Sequence, residues 1–487
     1  MALVVAALAL SACAVASRPT PKHIFRTANY MDAAALSSRI TALRGRGAPI
    51  RVAIIGGGLS GLAAAKYLAD AGHHPTVYEA RRVLGGKVAA WQDKEGDWIE
   101  TGLHIFFGAY PNMMNLFSEL DLHDRLQWKQ HRMAFAMRDA PGKFTSFEFT
   151  PGVPAPFGMA LAILRNTEML SWYEKIAMLP ALLPMLLEGQ PFIDAQDELS
   201  VTEFMRKYGM PERINEEIFV AMGKALDFID PDRLSMSVVL TAMNRFIRET
   251  DGSQTAFIDG NQPDRLCKPI VEHVRALGGE VRTGVPVRSI ELKRLLPTKW
   301  LEPASASAEF FEGIEPLKGI PVINVQLWFD RPLPSSLDGL AFSRSPLLSV
   351  YADMSKSCRE YEDADGRGVM EMVFAPCTIE AGADRDWLKC SDEEIVDAAL
   401  GELANLFPLE IAPDSRTGAV LAGKLAAEVV ALRAAGEATP GIKLPAKPAH
   451  AHVGGELPPS SAADTTRLAG RSPVAFGGGQ MGGFVHE

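Results

Sequence analysis

A chain of 487 residues, 47% hydrophobic and 22% charged, is long enough for two or more domains around a large core and is not a disordered polymer. Its net charge of −10 argues against nucleic acid as a partner, because phosphate binding needs a concentrated basic face. Five cysteines (Cys13, Cys267, Cys358, Cys377 and Cys390) lack CxxC spacing, so neither a zinc site nor a disulfide framework is indicated, and a reducing compartment fits.

The first 50 residues hold a single acid, Asp32, among several arginines and many alanines and serines. That is the composition of an organelle transit peptide. Ala2 to Ser17 also reads as a secretory signal, although the charged leading region is missing. No later run reaches the roughly 18 uncharged apolar residues that cross a bilayer, so any membrane contact is monotopic.

Arg51–Ile55, "RVAII", has the β-branched composition of a central parallel strand, and it runs into "GGGLSGLAAAKYLADAG". This is GxGxxG in a strand-to-helix setting. Gly56 permits the tight turn, Gly58 lets a pyrophosphate approach the backbone, and Gly61 lets the helix press on the strand. Leu59, Leu62, Ala65 and Leu68 supply the buried stripe of that helix. A second strand, "HPTVYEA", delivers Glu79, placed to accept hydrogen bonds from a ribose diol. The spacing predicts a Rossmann-type dinucleotide-binding unit. Directly afterwards "ARRVLGGKVAAW" presents Arg81, Gly85, Gly86 and Lys87, which read either as a turn beside a solvated charge or as the extension of a flavin signature.

That diglycine loop with its cation resembles the amine-oxidase-like flavoproteins. A narrower likeness follows in "EARRVLGGKVAAWQDKEGDWIETGLHIFFGAYPNMMNLFSEL", "AQDELSVTEFMRKYGMPERINEEIFVAMGKALDFIDPDRLSM", "FIDGNQPDRLCKPIVEHVRALGGEVR", "GIPVINVQLWFDRPL" and "FSRSPLLSVYADMS". These stretches resemble plant-type phytoene desaturases, over roughly residues 51 to 413. The resemblance implies an α/β fold: a glutathione-reductase-like FAD-binding domain with an inserted α+β substrate domain and a helical membrane-contact region. On that pattern 1–50 is a plastid transit peptide, and 51–140 with 251–294 forms the FAD-binding domain, 413–432 being its last helix. Residues 141–250 form the helical region, 295–412 the substrate domain and 433–487 a disordered tail.

The likeness further implies FAD as cofactor, 15-cis-phytoene as substrate, plastoquinone as electron acceptor and a plastid membrane surface as the place of work; a homo-oligomer is left open. Ser60, Glu79, Ala80, Lys87, His104, Ile105 and Tyr110 would touch FAD, Val287 would hold the adenine through its backbone, and Arg245 would stand at the substrate or quinone end of a tunnel. From the residues alone, Tyr110 and His104 read equally as packing residues and Arg245 as a helix-surface ion-pair partner. ζ-Carotene desaturase is a sister reading, an oxidase of amines or porphyrinogens a more distant one.

A hydrocarbon substrate offers no polar handle, so an apolar tunnel is expected in place of a catalytic triad; no residue reads as a base, and no metal-ligand constellation is present. "PAPFGMALAIL" and "WYEKIAMLPALLPMLLEGQPF" are apolar, proline-broken segments suited either to a membrane entrance or to core helices. Two joins break the family pattern. Arg294 runs straight into Leu295 where a hairpin and returning strand are expected, and Arg416 runs straight into "TGAVLAGKLAAEVV" where a strand, a flavin-binding aspartate and a methionine are expected. The small residues of the alanine-rich helix over 418–432 are expected to face the Gly56–Gly61 turn.

Overall fold

The computed structural model describes residues 18–93, 96–138, 140–288, 320–329, 332–362, 366–408, 410–411, 452–453 and 473–474. Its strands in chain order are β1 (Arg51–Ile55), β2 (His74–Tyr78), β3 (Ala90–Gln92), β4 (Trp98–Glu100), β5 (Phe106–Phe107), β6 (Leu126–Trp128), β7 (Arg132–Ala136), β8 (Phe144–Glu148), β9 (Thr255–Ile258), β10 (Glu280–Arg282), β11 (Ile320–Pro321), β12 (Ile323–Phe329), β13 (Ala341–Phe342), β14 (Leu348–Asp353), β15 (Gly368–Phe374), β16 (His452–Val453) and β17 (Pro473–Val474). Both joins and the 418–432 helix lie outside the described residues, as does the 433–487 tail apart from β16 and β17, which pair with β12 and β11.

β1, β2 and β10 form a parallel sheet in that order, with the Leu59–Asp70 helix as the crossover between β1 and β2. Leu62, Ala65 and Ala69 of that helix are buried, two of them from the stripe read in the sequence. β1 departs from the expected central strand: β2 is its sole partner among the described residues, and Ile55 is 55% exposed.

The other large layer is a seven-stranded sheet of order β16-β12-β15-β14-β13-β7-β8. β12, β14 and β15 are buried along their whole lengths because both faces are covered. Val325, Leu327, Met370 and Met372 meet Ile395, Ala399 and Leu403 of the Asp392–Leu406 helix on one side; Trp328, Val369 and Val373 join the main core on the other. The β7–β8 hairpin spans residue 140, where the sequence reading set a domain boundary, and belongs to this sheet.

Between β8 and β9 the chain forms short helices, among them Phe157–Arg165, Trp172–Ala177, Leu179–Glu188 and Met236–Arg248, which share the main core with one face of the seven-stranded sheet. Ser171 and Glu174 form a capping box that starts the second of these. Ala162, Met178, Ala181, Leu182 and Met185 point into the core. Phe157, Leu164, Trp172, Tyr173, Ile176, Leu179, Leu183 and Leu187 point outward, from 46% exposed at Leu164 to 75% at Leu187. No helix among the described residues is long and apolar enough to cross a membrane.

Residues 18–50, read from composition as transit peptide, are folded onto the nucleotide unit. The Ala28–Thr41 helix is capped by Thr27 and buries Ala33 and Ser37, and Asn115 donates to Ser37 Oγ at 3.1 Å. Arg44 then donates to the carbonyls of Asp70 (3.1 Å) and Ala69 (2.7 Å), satisfying the C-terminus of the Leu59–Asp70 helix.

Candidate functional site

Gly56 leaves β1 at φ +100°, and Gly58 opens the Leu59–Asp70 helix with no side-chain cap and no acid in the first turn. The first-turn N–H groups therefore face outward with a positive end dipole, as an anionic pyrophosphate requires. Gly61 is needed sterically: a Cβ there would stand 2.1 Å from the Gly56 carbonyl oxygen.

The diglycine turn lies against this one. Gly85 (φ +110°) donates its N–H to Gly57 O at 2.9 Å, and a Cβ on Gly86 would come within 3.1 Å of Gly58 Cα. Two backbones thus approach where no side chain fits, which accounts for Gly85 and Gly86 better than a solvent turn does. Glu79 closes the third side: its carboxylate accepts from Gly57 N–H (2.6 Å) and Arg81 N–H (2.9 Å), and each oxygen retains a lone pair for a diol. Val285 N–H donates to Glu79 O at 2.8 Å and brings residues 285–287 alongside, with Val287 41% exposed. Ser60 and Ala80 are exposed on the same cradle.

The remaining expected contacts are more deeply placed. Burial lowers the proton affinity of Lys87. His104 is buried with both ring nitrogens occupied: Nε2 lies 2.9 Å from the Lys87 carbonyl and Nδ1 lies 3.0 Å from Glu100 Oε2. Ile105 and Tyr110 are core residues, Tyr110 packing edge-on against Phe107 at 5.5 Å. Burial and the nearby Asp227 raise the Tyr110 phenol, and burial pushes the Asp227 carboxyl up to about 7. Arg245, on the Met236–Arg248 helix, pairs with Glu249 at 3.3 Å, so its ion-pair reading is the one the geometry displays. The structure thus gathers Gly56, Gly58, Ser60, Gly61, Glu79, Ala80, Lys87 and Val287 around one cradle. His104 joins it through a backbone carbonyl, and Tyr110 and Arg245 stand apart in the core and on the helix.

A cavity of about 220 Å³ beside Arg245 is lined by Phe149, Met159 and Phe246 but also by His131, Asp251 and Gln254. Its wall is more apolar than polar, with His131, Asp251 and Gln254 supplying polar groups on one part of it. Among the described residues no cluster of His, Cys, Asp and Glu could hold a metal ion. Sequence reasoning missed one constellation, the buried group of Glu100, Asn324, Gln326, Tyr361 and Glu371 beneath His104. Its signal was present: Asn324, Gln326 and Glu371 are single polar residues inside the otherwise apolar strands "INVQLWF" and "GVMEMVF".

The cradle and sheet define a flavoprotein oxidoreductase fold, and the comparisons agree. Residues 59–296 and 291–422 match the flavin containing amine oxidoreductase family, to which the chain belongs. It is 49% identical over 434 residues to the 15-cis-phytoene desaturase, chloroplastic/chromoplastic, of Capsicum annuum, covering 83% of this chain and 72% of that one. To a probable zeta-carotene desaturase of Synechococcus elongatus it is 28% identical over 418 residues, covering 74% and 84%. An oxidoreductase structure from Methanosarcina mazei shares the fold at a TM-score of 0.53 and 17% identity, over 74% of this chain and 85% of that one. FAD is the cofactor of the family, and the glycine cradle with Glu79 suits it.

Proposed function

We propose that the chain is built as an FAD-dependent carotenoid desaturase that converts 15-cis-phytoene through phytofluene to ζ-carotene and passes the electrons to plastoquinone at a plastid membrane. The 49% identity to a phytoene desaturase carries this reading, against 28% to the zeta-carotene desaturase. Bound at the cradle, FAD supplies a two-electron acceptor for hydride from an unactivated C–H. The chain's own residues orient: the Gly56–Gly61 turn takes the pyrophosphate, Glu79 the ribose, and the Lys87 loop the ring end. Expression in a bacterium that accumulates phytoene tests the whole reading. Loss of phytoene with gain of ζ-carotene supports it, a product of ζ-carotene oxidation favours the sister enzyme, and unchanged phytoene with a folded protein present favours an inactive carotenoid-binding homologue.

The outward row from Phe157 to Leu187 supports monotopic membrane contact. Eight large apolar side chains on three consecutive helices exceed what a surface scatters singly. Replacing Trp172, Ile176 and Leu187 together with serine should release the protein from neutral liposomes in flotation; unchanged flotation would remove this face from the binding surface.

The two joins support a further part of the reading, that this chain holds FAD weakly. The two family-matching stretches, 59–296 and 291–422, meet at the Arg294 join. The 434 positions aligned with the Capsicum enzyme outnumber the residues in 83% of 487, so that relative carries residues with no counterpart here. Purified protein should show little flavin absorbance in the visible; full occupancy would overturn the impairment and leave the desaturase reading standing.

A further inference from the structure

The group beneath His104 joins the cofactor side of the molecule to the seven-stranded sheet through buried polar side chains and the Glu100 backbone. From the cofactor side comes Glu100, the last residue of β4, with His104 four residues on. From the sheet come Asn324 and Gln326 of β12 and Glu371 of β15, which faces Gln326 in register. Tyr361 enters from the 3-10 turn Arg359–Tyr361. Glu371 and Gln326 are fully excluded from solvent, and Glu100 is 3% exposed. Gln326 Oε1 accepts from Glu100 N–H at 3.0 Å; Asn324 Nδ2 donates to Glu100 O (3.3 Å) and Glu371 Oε1 (2.9 Å); the Tyr361 hydroxyl donates to Glu100 Oε1 at 2.5 Å.

Hydrogen counting fixes much of the arrangement. A carbonyl cannot donate, so His104 Nε2 carries the hydrogen that meets Lys87 O, where Thr101 Oγ1 also donates at 2.6 Å. One further hydrogen then lies between Nδ1 and Glu100 Oε2, as imidazolium with carboxylate or imidazole with acid. Two carboxyl groups in a dry site do not both ionise. Glu371 is the neutral one: a single amide supports Oε1, Oε2 has no partner, and burial with the Glu100 charge raises its proton affinity well above the usual range.

We propose that Glu100 is a positioning residue of the cofactor site: through His104 it fixes the Lys87 carbonyl and hence the Gly85–Ala89 turn, while Tyr361 holds its carboxylate, Asn324 and Gln326 hold its backbone, and protonated Glu371 meets it through the shared Asn324 amide. The pairing ties the sheet to the turn by hydrogen bonds in which each partner from β12, β15 and the 3-10 turn is a side chain. The titratable groups facing Glu100 are His104 from its own segment, Tyr361 and Cys358 from the 3-10 turn region and Glu371 from β15. The assignment of this turn to the cofactor rests on the flavoprotein reading; the lock itself does not.

The test uses the full chain with Glu100→Gln, Glu371→Gln and, as a control, Ser349→Ala, which removes the 2.9 Å hydrogen bond to Val373 O in the same sheet without touching the turn. Without added FAD, exchange at the Val88 and Ala89 amides, which donate to Gly85 O and Gly86 O, should rise about tenfold in Glu100→Gln and stay unchanged in Ser349→Ala. The parent-minus-Glu371→Gln infrared difference should contain a protonated carboxylic acid carbonyl band. Equal exchange in Glu100→Gln and parent, or no acid band in that difference, overturns the proposal. FAD titration by flavin fluorescence quenching is run on the same proteins: weak, saturable binding by the parent is what the two joins imply and supports the cofactor reading, no binding at saturating FAD counts against that reading, and in both cases the exchange result alone decides the lock.

Discussion

The glycine cradle and the Glu100–Glu371 group hold the same turn from opposite sides by different means. The cradle is made of backbone: Gly58 and Gly86 touch because neither has a side chain, and the groups offered to a ligand are N–H dipoles and one carboxylate. The polar group is made of buried side chains whose hydrogen bonds converge on Glu100, with Asn324 Oδ1, Gln326 Nε2 and Glu371 Oε2 left without a partner. Damage should therefore follow volume in the first region and hydrogen count in the second.

The largest effect is expected at Glu100→Leu, which strands Tyr361 and His104 without their acceptor: a loss of about 3–5 kcal/mol in denaturant unfolding. Retention of parental stability would show that the group is not a paired ionic site. Gly61→Ala forces a methyl into the Gly56 carbonyl and should lose roughly 1–3 kcal/mol together with FAD binding; a parental melt and titration would mean the helix can back away. Gly86→Ala, at φ +61° and 3.1 Å from Gly58, should cost about 1–2 kcal/mol with a shift in FAD affinity larger than the shift in stability. Glu371→Gln should be the mildest, within about 0.5 kcal/mol near the pH where Glu371 is protonated anyway. Its sign depends on pH. A carboxyl whose folded pKa is raised contributes stability that is full below the unfolded value near ~4.3 and is lost as pH rises toward the folded value. The parent should therefore lose stability more steeply than Glu371→Gln as pH rises from ~4.3 toward the folded value; parallel pH profiles would show that Glu371 ionises without penalty.

The contrast also explains what could be read in advance. "RVAIIGGGLSG" and "HPTVYEA" announce the cradle because a backbone site leaves its mark in consecutive glycines and in one acid at a fixed distance. Glu100, Tyr361 and Glu371 lie up to 271 residues apart in number and meet through sheet register, which no local spacing encodes. His104 shows the intermediate case: its place near the cofactor loop came from resemblance, whereas its role as the link between Lys87 and Glu100 needed coordinates. The packing of segment 18–50 left no mark in the sequence for a further reason. Its few buried contacts, Ile24, Ala33 and Ser37, are too sparse to give a periodic apolar signal, and its anchor to the body is largely polar.

Arg44 closing the end of the Leu59–Asp70 helix has a bearing on maturation. If a leader is removed from this chain, the protease has little freedom on its inner side: a cut beyond Arg44 would discard a side chain that helps close the nucleotide-binding helix and take its donor from the Asp70 carbonyl, while Ala69 O keeps its backbone donors. The mature N-terminus should thus fall ahead of Thr27, the cap of the Ala28–Thr41 helix, a position that N-terminal sequencing of the protein from its source would read directly.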